Sequence, residues 1–401
     1  MKLKPLAALP ALLATLLLSC EKVDTKGRTP DLPTPLPTTT VSDTVLLLTA
    51  ISAPEDYDWH RDTAAGASSC ELLLYKDMEL AAVYRTGPQY FISTDPDTHH
   101  LINGHLYTEY VTEAETVIKC DGEELFRYAG REFLVGLLPF GSAVYTLGRL
   151  RSGGGYRFRR NGELLLDLPD CRVFGDFGSS AYGRTGAIYR DGGHFCFCYK
   201  DISDKCWKVQ DESPSKISLP SSALEIIDVK IHDRKEYVFY MGSLYSFLKA
   251  PAKTYSLGSL EWSSAGIVIE DGDIYVTGTR KAKEVAGIFH AEDPVSVYMP
   301  VTGSGVAFSA PAYFVYHNGA EAYAVIPEGD GFLVEDGDDA LFEIPSSYVF
   351  TRDCAVATDD GFIIGVNPRA KGGKPYLLCE DEEYIINING YITSVAMEIK
   401  R

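Results

Sequence analysis

Beyond its first twenty residues the sequence has no apolar run near the ~20 residues needed to carry a helix across a bilayer, so a bundle of membrane-spanning helices is excluded. Basic residues are scarce: 37 lysines and arginines stand against 56 aspartates and glutamates, a formal net charge of −19. Binding nucleic acid by neutralising phosphates needs the opposite balance, and no nucleic-acid partner is expected. Short catalytic signatures are missing too. There is no Gly-x-Ser-x-Gly elbow, no His-Glu-x-x-His, no phosphate loop and no dinucleotide fingerprint. No cofactor is therefore expected, and no catalytic residue is identified. After residue 42 no amphipathic helix pattern of useful length occurs. What is present is 401 residues with 45% hydrophobic and 11% aromatic content, enough for a large core.

The amino terminus reads as an address. Lys2 and Lys4 precede an apolar stretch over residues 6–18, which ends in Leu17-Leu18-Ser19-Cys20. That order of charge, apolar run and small residue is the layout of a secretory signal, too short for a stable transmembrane helix. The segment resembles the lipobox of bacterial lipoproteins. The resemblance implies removal of residues 1–19 and lipidation of Cys20, with several acyl chains giving a lasting anchor in the cell envelope, on the outer membrane and facing either the periplasm or the surface. Residues 20–42 then carry Pro30, Pro33, Pro35 and Pro37 among threonines, with little that could enter a core. Proline favours extended backbone, so this stretch is expected to be a semi-rigid tether.

Residues 43–401 repeat. Short runs of Val, Ile, Tyr and Phe alternate with Asn103-Gly104, Asp121-Gly122, Asn161-Gly162, Asp271-Gly272, Asn318-Gly319, Asp336-Gly337 and Asp360-Gly361. These dipeptides tolerate the positive φ of type I′ turns, and each one between strand-like runs marks a hairpin. Two hairpins, strands A to D, make a unit that often closes on an apolar residue and proline, as at Leu168-Pro169, Leu219-Pro220, Met299-Pro300 and Ile344-Pro345. Seven such units fit residues 84–126, 127–169, 170–220, 221–257, 258–300, 301–345 and 346–389, at roughly 43 residues each. In the fifth of these, strands are expected at 265–270, 273–278, 285–290 and 295–299. Three strands remain before the first unit, at 44–52, 70–75 and 79–84, and one after the last, at 391–400.

The expected fold is thus all-β, a β-propeller of eight four-stranded blades whose last blade joins both ends of the chain, with seven blades as the alternative count. Pairing the ends removes two open sheet edges. The period, together with Asp271-Gly272-Asp273-Ile274-Tyr275-Val276-Thr277-Gly278, resembles the broad β-propeller superfamily. No Trp-Asp dipeptide is present, which argues against a WD40 domain. A pair of β-sandwich domains is the competing architecture, and no linker-like stretch divides the body as that would need.

Eight cysteines follow Cys20. His194, Cys196 and Cys198 alternate on one face of a strand, and Cys206 lies on the next. Packed free thiols are the expected state, with a Cys198–Cys206 disulfide and a zinc site as alternatives. Cys-x-Cys along a strand sets the thiols about 6.6 Å apart, wide for zinc, so no metal site is expected there. The acidic turns 335–339 and 380–383 lack the full spacing of a calcium loop and read as solvated hairpins.

In this strand scheme the A–B and C–D turns lie at one end of the sheets and the B–C and D–A connections at the other. The two acidic turns place four carboxylates each on the A–B/C–D end. At the opposite end, basic residues offset the acids. That end is the expected working face, favouring a neutral or anionic partner. It holds Arg149, Arg151, Arg280 and Arg369, the loop 53–69 with Tyr57, Trp59, His60 and Arg61, and the loop 171–184 with Phe174, Phe177, Tyr182 and Arg184. Aromatic and guanidinium groups on long loops suit stacking and hydrogen bonding to a sugar or a peptide. The expected function is a non-catalytic binding or assembly module for a glycan or envelope protein. The alternative is a carbohydrate-active enzyme, a glycosidase or polysaccharide lyase, on the same scaffold.

Overall fold

A computed structural model describes residues 44–53, 71–85, 99–111, 114–150, 155–175, 187–258, 260–270, 273–282, 295–300, 306–307, 314–318, 321–328, 331–336, 339–358, 361–370, 372–379 and 382–399. The leader, Cys20 and the tether lie outside them. The described residues form antiparallel strands and turns without a helix, arranged in eight sheets.

The first sheet takes Gly390–Ile399 as strand A, then Thr44–Ser52, Glu71–Lys76 and Glu79–Arg85 as B to D. Thr44 pairs with Ile399 and Ser52 with Gly390, so the first and last described strands lie side by side. The second sheet spans His99–Ile102 to Glu123–Ala129, and the third Glu132–Phe140 to Glu163–Pro169. The fourth runs from Arg172–Val173 to Ser213–Lys216, the fifth from Glu225–His232 to Thr254–Ser256, and the sixth from Leu260–Glu270 to Val306–Ala307. Phe314–Asn318 to Asp339–Ile344 and Tyr348–Thr358 to Glu382–Ile385 complete the seventh and eighth.

Turn chemistry explains the hairpins. Asn103, Asp121 and Asn161 have φ of 53°, 49° and 48°, and the glycines after them are also left-handed. Asp77-Met78, Asp211-Glu212 and Asp233-Arg234 make the same turn with no glycine. Around three expected turns the register shifts by one residue: Asn318 pairs with Glu321, Asp336 with Asp339 and Thr358 with Gly361.

Two units depart from the sequence expectation. In the sixth sheet strand C is Val295–Pro300, because Val276 of strand B pairs with Met299, and strand D is Val306–Ala307. Met299-Pro300 therefore closes the third strand, and residues 285–290 lie outside the described residues. In the fourth sheet strand A is split: Arg172–Val173 and Tyr189–Asp191 both pair with His194–Lys200. The D–A connection expected over 171–184 is thus confined to Asp170 and Cys171, because Arg172 and Val173 already belong to strand A, and residues 176–186 lie outside the described residues.

Apolar clusters fill the spaces between successive sheets. One joins the third and fourth through Phe158, Phe195 and Phe197, and others join the fourth to the fifth, the fifth to the sixth and the seventh to the eighth. Leu48, Ile363, Leu377 and Ile392 do the same between the eighth sheet and the first.

Polar side chains supplement this packing where strand A bulges. A bulge frees backbone groups that are costly to bury unpaired. Glu109 Oε1 accepts from Leu134 N (3.1 Å), and Asp228 Oδ2 accepts from Ile267 N (2.8 Å), each from the preceding sheet. Asn367 of the eighth sheet donates to Ile392 O (2.8 Å) and accepts from Ile392 N (2.7 Å). Each contact lies beside a register shift.

His100, on His99–Ile102, is buried, and its Nε2 has no partner among the described residues. Burial pushes its pKa down from 6.5 to about 4. The unfolded chain takes up this proton below about pH 6.5 while the folded chain resists it, so stability is full above that pH and falls towards pH 4. The shift is worth roughly 3 kcal/mol. Urea midpoints measured across this window should decline for the wild type and decline less for His100→Phe; parallel profiles would refute the assignment.

Candidate functional site

Most of the residues expected at the working face lie outside the described residues: Tyr57, Trp59, His60, Arg61, Arg151, Phe177, Tyr182 and Arg184. Phe174 is described, buried, with Arg172 over its ring at 5.8 Å. Arg149, Arg280 and Arg369 stand at or just beyond the B–C ends of strands Ala143–Leu150, Asp273–Ala282 and Gly361–Pro368. They belong to three different sheets. Arg149 is half-buried opposite Phe133 and Tyr156, while Arg369 is exposed and its Nε donates to Tyr348 O (2.9 Å).

The described part of this end has another feature. Large exposed apolar residues fall into two sets. Leu80, Val83, Leu125, Leu164, Leu341 and Ile385 all sit on fourth strands, spread over five sheets. Ile202, Leu224, Leu244 and Tyr245 instead occupy connections at the B–C/D–A end of the consecutive fourth and fifth sheets. Ile202 is 78% and Leu224 75% exposed. Their backbones are firmly held. Asp201 accepts from Ser203 N, Lys205 N and Trp207 Nε1, Leu224 N donates to Met241 O, and Gly242 N donates to Tyr245 O. Sequence reading passed over these residues because an isolated apolar residue in a turn carries no period.

The opposite end carries a recurring device. The first residue of the C–D turn donates its N–H to a strand B carbonyl and accepts that same residue's N–H on its side chain. Asp77 does so with Leu46, Asp121 with Leu106, Asn161 with Val144 and Asp211 with Phe195. In the second and fourth sheets the residue just before is histidine. His105 Nδ1 lies 2.7 Å from Asp121 Oδ2, and His194 Nδ1 pairs with Asp211 Oδ2. Asp121 is held below the usual carboxylate range by His105 and the Leu106 N–H, against the opposing effect of burial.

The potential metal ligands differ from those weighed in the sequence. Cys196, Cys198 and Cys206 are buried, unbridged thiols in the core between the fourth and fifth sheets. Register sets Cys198 opposite Lys208 and Cys206 opposite Lys200, so they are not cross-strand partners. Burial raises all three thiols, Cys196 to about 12 and Cys206 to about 11. His194 is committed to Asp211 and to Arg234, 2.7 Å from its Nε2. Among the described residues, the donors that do converge are His105, Cys120 and Asp121.

Between the second and third sheets lies a buried ionic group. Glu132 is wholly inaccessible and accepts from Arg159 Nη2 (2.8 Å) and Nε (3.2 Å) and from Arg157 Nη1 (3.1 Å). Its side chain crosses Gly148, where a Cβ would come within 2.7 Å of the carboxylate. Arg159 stacks on Tyr128 at 4.2 Å, and burial followed by the charges of Glu132 and Glu109 pushes that phenol up. The group is enclosed and serves packing rather than ligand access.

No family model matches the sequence, and no curated protein matches it. Solved structures do. Dihydro-heme d1 dehydrogenase NirN in complex with DHE is similar over 88% of this chain and 75% of its own, at 10% identity and a TM-score of 0.50. Apo AztD from Citrobacter koseri is similar over 88% and 98%, at 10% identity and a TM-score of 0.47. At such identity the likeness to NirN speaks only for the fold, which is a β-propeller.

Proposed function

We propose that this chain is a lipid-anchored β-propeller of the bacterial cell envelope, closed as a ring of eight blades, and that it serves as a non-catalytic binding or assembly module for a glycan or envelope protein. The pairing of Thr44–Ser52 with Gly390–Ile399 and the apolar cluster between the eighth and first sheets support closure. The lipobox ending at Cys20 and the proline-rich tether support anchoring. The observation that carries the binding role is that Ile202, Leu224, Leu244 and Tyr245 are all exposed on connections at the B–C/D–A end of two consecutive sheets. Exposed apolar residues grouped on rigid turns mark interaction surfaces.

Full-length chain in detergent should be tested on an envelope-glycan array and against purified envelope proteins. Leu224→Ser/Leu244→Ser/Tyr245→Ala is expected to weaken retention at least about tenfold, equivalent to 1.4 kcal/mol. Leu80→Ser/Leu125→Ser/Leu164→Ser on the outer strands should retain the ligand. Equal retention by both triple variants, or turnover of a glycan, would overturn the reading. Cys20→Ser should abolish lipid labelling and move the protein out of the membrane fraction; unchanged labelling would remove the anchor.

A further inference from the structure

We propose that His105, Cys120 and Asp121 bind a zinc ion, with a fourth position open to water, at the A–B/C–D end of the second sheet. Their donor atoms lie within 4.8 Å of one another. Zinc bonds of about 2.0–2.3 Å set tetrahedral donors roughly 3.3–3.6 Å apart. The His105–Asp121 contact at 2.7 Å therefore needs only to open slightly while the Cys120 sulfur closes in. Mixed nitrogen, sulfur and oxygen donors suit a borderline divalent ion of this kind, and three protein ligands leave room for a solvent molecule.

The scaffold holds these groups before any ion arrives. Asp121 N donates to Leu106 O (2.8 Å), and Leu106 N donates to Asp121 Oδ1 (2.9 Å), which leaves Oδ2 towards His105. Such hydrogen bonds orient a ligating carboxylate. His105 follows the Asn103-Gly104 turn and Cys120 precedes Asp121-Gly122, so two tight turns present all three donors. Coordination replaces the His105–Asp121 hydrogen bond: the His105 Nδ1 proton is given up as the neutral ring takes its Nε2–H tautomer, and the Cys120 thiol proton passes to the buffer.

The other sheets provide internal comparisons. The turn residue recurs as Asp77, Asn161 and Asp211, so an acid or amide there has a structural role and needs no ion. The flanking positions decide the matter. They are Val45 and Lys76 in the first sheet, and Ala143 and Arg160 in the third. In the fourth, Gln210 replaces the cysteine, and the Arg234 guanidinium beside His194 repels a cation. Among these four sheets the second alone combines three donors; no described guanidinium is bonded to its histidine as Arg234 is to His194, and Asp121 has the Lys76 ammonium of the first sheet as a cationic neighbour.

Cobalt(II) titration of the full-length chain in detergent tests the site, since a single thiolate ligand gives a charge-transfer absorption that zinc removes. One equivalent should bind. Cys120→Ser and His105→Gln are each expected to lower affinity about tenfold or more, while His194→Gln leaves it unchanged. Far-ultraviolet circular dichroism will show whether each variant keeps its strands, and His105→Gln, which can still hydrogen-bond Asp121, carries the test if Cys120→Ser does not fold. Absence of the band, its persistence in both ligand variants, or equal loss in His194→Gln would overturn the assignment.

Discussion

Glu132→Gln is expected to destabilise the protein by about 3–5 kcal/mol, the usual consequence of removing one partner from a buried ion pair. The wild-type carboxylate satisfies two guanidinium groups without contact with water. Glutamine keeps the shape but brings an NH₂ towards Arg159, which is itself only 8% exposed and cannot find solvent instead. Arg157→Met should cost far less, because Arg157 is 29% exposed and Glu132 keeps both of its hydrogen bonds to Arg159. Gly148→Ala should resemble Glu132→Gln, since the added methyl group would displace the same carboxylate. The double variant Glu132→Leu/Arg159→Met separates net stabilisation from the cost of a broken pair: replacing both charges with apolar groups is often nearly neutral. Thermal and urea midpoints of the full-length chain provide the measurement. A Glu132→Gln midpoint matching the wild type would show that the carboxylate is dispensable.

Strands with clean alternation and glycine-containing turns were legible from residues alone. Thr44–Ser52 has the bounds expected from its apolar run, and Gly390–Ile399 starts one residue before the expectation and ends one residue before it. Elements too short to carry a period were not legible. Arg172–Val173 is two residues long and is a strand only because Tyr199 and Lys200 lie beside it. Turns such as Asp77-Met78 and Asp211-Glu212 lack the dipeptide signal, yet neighbouring strands and the Asx contacts fix them in the same conformation.

The functional groups were harder for the same reason. His105 and Asp121 meet because strands B and C pair Tyr107 with Cys120, a register no composition reveals. The Gly-His dipeptides at 104–105 and 193–194 are the one available signal, and they acquire meaning only once both are seen at the first position of strand B. Glu132 is one of 56 acids, and its burial depends on a glycine sixteen residues away.

Deleting residues 390–401 should abolish cooperative folding. The loss would expose Thr44–Ser52 along its whole length as an unpaired edge carrying Leu46, Leu47 and Leu48, and long apolar edges pair with other chains. It would also strip Ile392 and Val395 from the cluster between the eighth and first sheets and leave Thr49 without Thr393 (2.9 Å) and Ser394 (2.5 Å). Two milder changes grade the effect. In Gly390→Ala the new methyl group would overlap the Ile51 carbonyl oxygen, which should fray the end of the strand nearest Ser52. Asn367→Ala removes the acceptor of the buried Ile392 N–H, at about 1–3 kcal/mol, and leaves the Ile392 carbonyl with the weaker Cys354 thiol donor at 3.3 Å. Size-exclusion chromatography with light scattering and a circular-dichroism melt should show aggregation and no sharp transition for the deletion, with lowered but cooperative transitions for the two substitutions. A monomeric deletion variant melting like the wild type would mean that the terminal strand adds nothing to the sheet it borders, because the edge it covers would then be stable in water.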